Sequence, residues 1–154
     1  MRVFAAAALM IAAPAAAQTC PSPAGWAKPE RHLAVRSSEM RFALKPGGTA
    51  QIGLLAAKDV RLATKAERKP RPRSSAGLAA IDVGKPGKLD VILSNATYVD
   101  LVRDGKTLRS TGHSDFKKCP GLRKSVSFDV VPGRYIVQLT GAPSQSVKMA
   151  TVLR

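Results

Sequence analysis

Apolar and polar side chains alternate along most of the chain after residue 40, and a period of two is the pattern of β-strands with one buried face. In residues 126–130, for example, valine, serine, phenylalanine, aspartate and valine follow one another. The clearest predicted strands are 77–83, 88–93, 98–103, 106–110, 125–130, 134–140 and 147–153, and shorter ones are 40–44, 49–55 and 60–63.

Turn residues interrupt this alternation at regular intervals. Asp104-Gly105 is the strongest hairpin signal, because both residues tolerate a positive φ, and it predicts that 98–103 pairs with 106–110. The only helix-like window after residue 17, at 62–68, is short and runs into Pro70, so no helix is predicted. The sequence therefore predicts an all-β fold, an antiparallel β-sandwich or jelly roll of about eight short strands.

The first seventeen residues have the organisation of a bacterial secretory signal peptide. Met1-Arg2 is a positive start, Val3 to Ala13 is almost wholly apolar, and Ala15-Ala16-Ala17 offers the small residues at which signal peptidase cuts. A membrane span needs about 20 apolar residues, and no second apolar run follows. We therefore predict that 1–17 is removed by cleavage after Ala17, and that the mature protein is periplasmic or secreted and has no transmembrane segment.

Residues 18–39 are predicted to form an extended N-terminal tail ahead of a β-sandwich domain at 40–154. Regular structure between 18 and 31 is disfavoured by Pro21, Pro23, Gly25 and Pro29. Trp26 is the one large apolar residue there, and we expect it to pack on the body of the domain.

The two cysteines, Cys20 and Cys119, both remain after cleavage. In an exported protein a lone pair predicts a disulfide, which here would tie the start of the mature chain to a distant segment. A bridge closing so long a loop stabilises a fold by about 4–5 kcal/mol in chain-entropy models. The alternatives are a redox-active pair, which usually has Cys-x-x-Cys spacing, and a lipoprotein in which Cys20 is lipidated.

Three stretches together resemble a family of small exported bacterial β-sandwich proteins. They are 98–106, which contains the Asp-Gly turn, 119–124, which begins Cys-Pro-Gly-Leu, and Pro132-Gly133-Arg134-Tyr135, which opens a strand. Some members of that family carry an automatic label of homogentisate dioxygenase, and its function is otherwise uncharacterised. The pattern is also similar to domains of the pre-peptidase C-terminal type. The resemblance spans roughly 80–141 and rests on turns and strands, so it implies a fold more than an activity.

The dioxygenase label requires an iron site, and non-haem iron oxygenases hold Fe(II) with two histidines and one carboxylate. The chain has two histidines, His32 in the tail and His113 in a Gly/Ser loop. Asp115 has suitable spacing from His113, so His32 would have to arrive from a distant segment. A Ser-His-Asp triad is also not indicated, because no serine near His113 lies in a nucleophile elbow.

Carboxylates offer two further hypotheses. Paired carboxylates could serve a glycosidase, but the ten acidic residues contain no favoured pair. Calcium could bind if Asp100, Asp104 and Asp115 cluster at one end of the sandwich, although no calcium-loop motif is present. We therefore predict no catalytic residue, no metal ligand and no cofactor.

Charge is the strongest remaining signal, since the chain has a net charge of +15, or +14 once Arg2 leaves with the signal peptide. Two basic clusters supply the predicted anion-binding residues: Lys65, Arg68, Lys69, Arg71 and Arg73, and then Lys117, Lys118, Arg123 and Lys124. Prolines keep the first cluster extended, so we expect 65–73 to be exposed, poorly ordered and dispensable for folding. The plain interpretation is a solvated basic surface, and the functional one is contact with anionic envelope lipid or polysaccharide.

Nucleic acid is a poorer partner, because the compartment is wrong and stacking aromatics are absent from both clusters. We therefore predict a non-catalytic accessory protein of the bacterial cell envelope that binds anionic envelope components through its basic loops. The alternative is a metal-dependent enzyme of the kind that the homogentisate dioxygenase label describes.

Overall fold

The computed structural model describes residues 19–33 and 43–154. Two β-sheets pack face to face, so the predicted all-β sandwich is confirmed. Within the described residues there is no α-helix, and a single 3-10 turn lies at Ala57–Asp59. No helix in this part of the chain is long and apolar enough to cross a membrane. The predicted signal peptide, at 1–17, lies outside the described residues.

The strands are numbered in chain order. The first sheet contains, from edge to edge, β1 (Glu30–Leu33), β3 (Thr49–Gly53), β12 (Ser146–Leu153), β6 (Gly87–Leu93), β10 (Lys124–Val130) and β9 (Gly112–Asp115). The second contains β2 (Ala43–Leu44), β5 (Ser75–Val83), β11 (Gly133–Ala142), β7 (Tyr98–Arg103) and β8 (Lys106–Thr107), and β4 (Leu55–Ala56) also pairs with β5.

The structure differs from the local predictions in three places. Residues 60–63 are not a strand, because Ala63 donates its backbone N–H to the side chain of Gln138 (2.9 Å) instead of to a neighbouring strand. The last described residues of the predicted extended tail form a strand, β1, on the edge of the first sheet. β9 has no counterpart among the predicted strands, because its sequence, Gly-His-Ser-Asp, has no apolar alternation.

Both sheets are mixed rather than purely antiparallel. β1 runs parallel to β3, and β2 runs parallel to β5. The chain passes from β1 in the first sheet to β2 in the second and back to β3, so it re-enters the first sheet in the same direction. Parallel neighbours need such a crossover, since a tight hairpin reverses the chain.

The core lies between the sheets and consists of the alternating residues that the pattern predicts. Leu89, Val91 and Leu93 on β6 are completely buried, as are Val137 and Leu139 on β11. Burying one such side chain stabilises a fold by roughly 1.5–3 kcal/mol relative to leaving it exposed.

Tyr135 fixes the turn that enters β11. Its hydroxyl donates to the carbonyl oxygen of Val131 (2.8 Å) and accepts from the Val131 N–H and from Nη1 of Arg103 (both 3.0 Å). This is the arrangement of the tyrosine corner of β-sandwiches, and it gives the Pro-Gly-x-Tyr pattern a physical basis. Gly133, at φ 148°, leaves room for Arg103, whose Nη2 would lie 3.0 Å from a Cβ there.

The predicted hairpin is present at the tip of β7 and β8. Asp104 and Gly105 have φ values of 50° and 73°, which are the signs that a type I′ turn requires. The return strand ends at Thr107 rather than Ser110. It is shorter than predicted because the chain crosses to the first sheet, where β9 begins at Gly112.

The N-terminal segment covers part of the outer face of the first sheet. Trp26 packs there, as predicted, on a second apolar cluster formed by Ile92, Phe116, Cys119, Leu122 and Ala150. Lys148 Nζ lies 5.1 Å from the Trp26 ring and donates to the carbonyl oxygen of Trp26 (2.8 Å). The predicted bond between Cys20 and Cys119 is confirmed, with Cα atoms 5.6 Å apart, so the Cys20 sulfur is engaged in a disulfide.

Residues 57–74, here termed the covering segment, lie across the outer face of the second sheet. The backbone N–H groups of Ala63 and Thr64 donate to Oε1 of Gln138, a completely buried side chain of β11 (2.9 and 3.2 Å). The stretch 65–73, expected to be a poorly ordered loop, is also attached to the sheet, because Nη1 of Arg71 donates to the carbonyl oxygens of Ala96 (3.2 Å) and Gly141. Its five cations are nevertheless exposed, as predicted.

A cross-strand pair anchors this cover. Asp100 on β7 lies directly opposite Gln138 on β11, and Nε2 of Gln138 donates to Oδ2 of Asp100 (3.1 Å). The N–H of Glu67 approaches the same oxygen at 3.4 Å. Three apolar side chains on the same outer face of the second sheet are also buried: Leu78, Ala80 and Val102.

We predict that replacing Gly105 with valine destabilises the domain by roughly 1–2 kcal/mol, because an L side chain is strained at φ 73°. A urea melt measures the change. The matched control is Gly84→Val, since a Cβ meets no atom within 4 Å at either position and Gly84 has no such φ. Equal stability of the two variants would contradict the backbone explanation.

We predict that reducing the disulfide releases the N-terminal cover from the second apolar cluster while the two sheets remain folded. Trp26 is the only tryptophan of the chain, so its fluorescence emission should shift to longer wavelength as its ring becomes hydrated. The variant Cys20→Ser should show the shifted emission without reductant and no further response to it. An unchanged emission after complete reduction would mean that packing alone holds Trp26 in place.

Candidate anion-binding site

The two basic clusters of the sequence meet at one tyrosine. Arg68 and Arg71 from the covering segment and Lys124 at the start of β10 all lie near the ring of Tyr98. The ring centroid is 4.6 Å from Cζ of Arg71, 5.4 Å from Nζ of Lys124 and 5.6 Å from Cζ of Arg68. A cation within about 6 Å of an aromatic ring centroid is attracted by the ring quadrupole. These four residues are here termed the Tyr98 cluster.

The other predicted cations do not contact this ring in the described part of the chain. Arg123 forms an ion pair with Asp115, and Nζ of Lys117 lies 4.0 Å from the same carboxylate. The remaining cations are exposed to solvent: Lys65, Lys69, Arg73 and Lys118. Of the nine predicted anion-binding residues, three therefore lie near the ring of Tyr98: Arg68, Arg71 and Lys124.

Tyr98 opens β7, and its ring lies against bare backbone at Gly141. A Cβ on Gly141 would approach Cδ2 and Cε2 of the ring at 2.8 and 2.9 Å. Gly141 has φ 61° and lies where the pairing of β11 with β5 is interrupted, between Leu139 and Ala142. The glycine therefore provides both the bend and the space that seat the ring.

The three cations of the Tyr98 cluster have different roles. Nη1 of Arg71 donates to the carbonyl oxygens of Ala96 (3.2 Å) and Gly141, so this guanidinium attaches the covering segment to the sheet. Arg68 and Lys124 have no such anchor. Among the described residues, neither of them has a carboxylate oxygen within 4.0 Å. Their charges are therefore available to a bound anion.

A pocket of about 120 Å³ lies beside the cluster. Residues of β7 in the second sheet and β10 in the first both line it, so it opens between the two sheets. Its apolar lining is Val99, Val126 and Phe128, and its polar lining is Glu67, Arg68, Tyr98, Asp100, Ser110, His113 and Lys124. The pocket combines an apolar wall from the core with a polar lining that holds two cations, Arg68 and Lys124, and two carboxylates, Glu67 and Asp100.

Lys124 is electrostatically unfavourable in this position. Burial of its ammonium group, and then repulsion by Arg68, Arg71 and Arg123, lower the pKa of Lys124 from 10.5 to about 8, and Asp115 opposes the shift. A charge held among like charges in a pocket is a common feature of binding sites, because the ligand supplies the missing counter-charge. This arrangement suits a phosphate or a carboxylate.

Two acidic residues, Glu67 and Asp100, also line the pocket, and they differ in exposure. Asp100 is buried, and its Oδ2 accepts from Gln138 and lies 3.4 Å from the N–H of Glu67. The Glu67 side chain is exposed at the rim. The calcium hypothesis is not supported, because Asp100, Asp104 and Asp115 do not form a cluster suited to a metal ion in the described part of the chain. No group of three or more histidine, cysteine or acidic residues suited to a metal ion occurs among the described residues.

The two histidines lie on opposite edges of the first sheet. His32 is on β1, where its Nε2 is 3.4 Å from Oε2 of Glu30, and His113 is on β9. Four strands separate those edges, and neighbouring strands are about 4.8 Å apart, so the two strands lie about 24 Å from each other. One iron ion cannot bind both histidines within a single chain.

Sequence reasoning missed Tyr98 and Gly141, and it treated the two basic clusters as separate loops. One feature of the sequence does indicate that a segment covers the outer face of the second sheet. Residues 76–83 of β5 are almost continuously apolar, and a strand of that kind is buried on both faces. No local signal indicates that Lys124 approaches the ring of Tyr98.

No protein-family model matches the chain, and no curated protein matches its sequence.

We predict that Lys124→Met makes the protein more stable at pH 7 and that this advantage shrinks between about pH 8 and pH 10.5. In that window the unfolded parent still holds a proton that the folded parent has lost, so stability of the parent rises with pH. Chemical denaturation at a series of pH values measures the difference. The control is Lys69→Met, which removes an exposed charge from the covering segment. If both variants follow the same pH dependence, Lys124 is not an unfavourable charge.

Proposed function

We propose that this chain is a non-catalytic protein of the bacterial cell envelope that binds phosphate- or carboxylate-bearing envelope components at the Tyr98 cluster. The observation that carries the proposal is the meeting of Arg68, Arg71 and Lys124 at one ring, from segments far apart in sequence. Folding holds these cations together although they repel one another, and an anionic ligand would relieve that repulsion.

The net charge of +15 supports the same proposal at long range. A basic surface raises the local concentration of polyanions and speeds their association, in a salt-dependent way. The formed disulfide and the absence of a membrane-spanning helix among residues 19–33 and 43–154 are compatible with an exported protein. A signal peptide at 1–17 and location in the periplasm or outside the cell are part of the proposal.

Nucleic acid remains the poorer candidate partner. Binding of single strands depends on aromatic rings that stack on bases. Tyr98 is the aromatic ring of the cluster, and cations and Gly141 already surround it. The iron-dependent enzyme alternative lacks a supporting observation, because His32 and His113 lie on opposite edges of one sheet.

The experiment compares two double variants that lose the same charge. Arg68→Ser with Lys124→Ser removes the cations that lack anchors, and Lys65→Ser with Lys69→Ser removes two exposed cations of the covering segment. Binding to vesicles of phosphatidylglycerol and phosphatidylcholine, and to an acidic polysaccharide, is measured at low and high salt. Each lost surface charge costs about 1 kcal/mol of attraction to an anionic membrane if charge alone matters.

We expect the first double variant to lose most of its binding at low salt, by a factor clearly larger than the second loses. Arg71 is left intact in both, because it attaches the covering segment to the sheet. Melting temperatures establish that both variants are folded. Equal losses would mean that binding follows net charge and not the Tyr98 cluster, and no binding by the parent would overturn the proposal.

A further inference from the structure

The pocket beside the Tyr98 cluster has an apolar wall that binding of a simple inorganic anion would not use. Val99, Val126 and Phe128 line it, and they belong to the main core cluster. Hydrated apolar surface inside a pocket favours ligands that can replace the water with apolar atoms. The wall is therefore a second recognition element next to the cations.

The size of the pocket limits the apolar group that it can hold. Its volume is about 120 Å³. A cavity of about 150 Å³ lined by apolar side chains accepts a benzene molecule. The pocket is smaller than that cavity, so it can hold at most one ring or a short branched chain and is too small for a complete acyl chain.

The polar lining places charges of both signs beside this apolar wall. Asp100 is buried and hydrogen-bonded to Gln138, and Glu67 is exposed. Arg68 and Lys124 line the pocket directly, and Arg71 stacks on the ring of Tyr98 without lining it. Ser110 and His113 come from the stretch that crosses from the second sheet to the first, and they supply polar groups on the remaining side. An anion at the rim would have its substituent directed between the sheets.

We propose that the pocket binds a phosphate monoester, with the phosphate between Arg68 and Lys124 and a ring-sized apolar substituent against Val99, Val126 and Phe128. This inference rests on the proposed function, because it uses the same cations. It specifies the ligand as a small phosphate monoester. It also requires an apolar substituent, which binding of anions in general does not. The source of the monoester is either a free small molecule or an exposed lipid headgroup.

The probes are inorganic phosphate, phenyl phosphate, and vesicles of phosphatidic acid and phosphatidylcholine, each titrated calorimetrically into the parent protein. Phosphatidic acid is chosen because its headgroup is a phosphate monoester. Burying one ring should make phenyl phosphate bind about tenfold or more tightly than inorganic phosphate. Two surface variants isolate the pocket. Ser110→Leu obstructs its mouth, and Ser114→Leu places the same side chain on β9 outside the pocket lining. Both serines are exposed, so both variants should fold.

We expect Ser110→Leu to bring phenyl phosphate down to the affinity of inorganic phosphate, and Ser114→Leu to leave the preference unchanged. Arg68→Ser with Lys124→Ser should weaken both soluble probes. Equal affinities of the two probes for the parent would overturn the inference and leave the proposed function intact, provided that the vesicles bind. Binding of vesicles without either soluble probe would overturn it in the same way, and failure of all three probes would overturn both proposals. Tighter binding of phenyl phosphate than of vesicles supports a free monoester, and the reverse supports a headgroup.

Discussion

The hydrogen-bonded pair of Gln138 and Asp100 is the interaction on which the functional surface depends. Both side chains project from the outer face of the second sheet, where a polar group would normally face water, and both are buried. Buried polar atoms need partners, since an unsatisfied one costs about 1–3 kcal/mol. The partners come from the backbone of the covering segment, at Ala63, Thr64 and Glu67. This requirement fixes the path of the segment that carries Arg68 and Arg71.

The two covers of the sandwich use different means of attachment. The covering segment is held by polar bonds to the second sheet and by the guanidinium of Arg71 on Gly141 and Ala96. The N-terminal segment is held by the pairing of β1 with β3, by packing of Trp26 and by the hydrogen bond from Lys148 to its carbonyl oxygen. It also has a covalent bond, from Cys20 to Cys119, which stabilises the fold by restricting the unfolded chain. A longer internal segment, joined to strands at both ends, can rely on hydrogen bonds.

Much of this fold could be predicted from the sequence because it is encoded locally. The alternation at 126–130 and the Asp104-Gly105 turn each contain their own structural signal, and two cysteines can form only one disulfide within a chain. The parallel pairing of β1 with β3 could not be predicted in the same way, since it results from a crossover between sheets. The polar sequence of β9 forms a strand because β10 offers it an edge. Such pairings depend on tertiary context and not on propensity.

The candidate site lies beyond local prediction for the same reason, and its composition explains why it is electrostatically unusual. Arg71 gains two carbonyl partners and the face of Tyr98, so its charge stabilises the fold. Lys124 has a lowered pKa from burial and from neighbouring guanidinium groups, so its charge opposes folding. Other cations of the fold have partners: Arg134 pairs with Asp82, Arg154 pairs with Asp90, and Lys148 donates to the carbonyl oxygen of Trp26. An unfavourable charge beside a pocket suits ligand binding, because ligand-binding sites commonly lower the stability of the free protein.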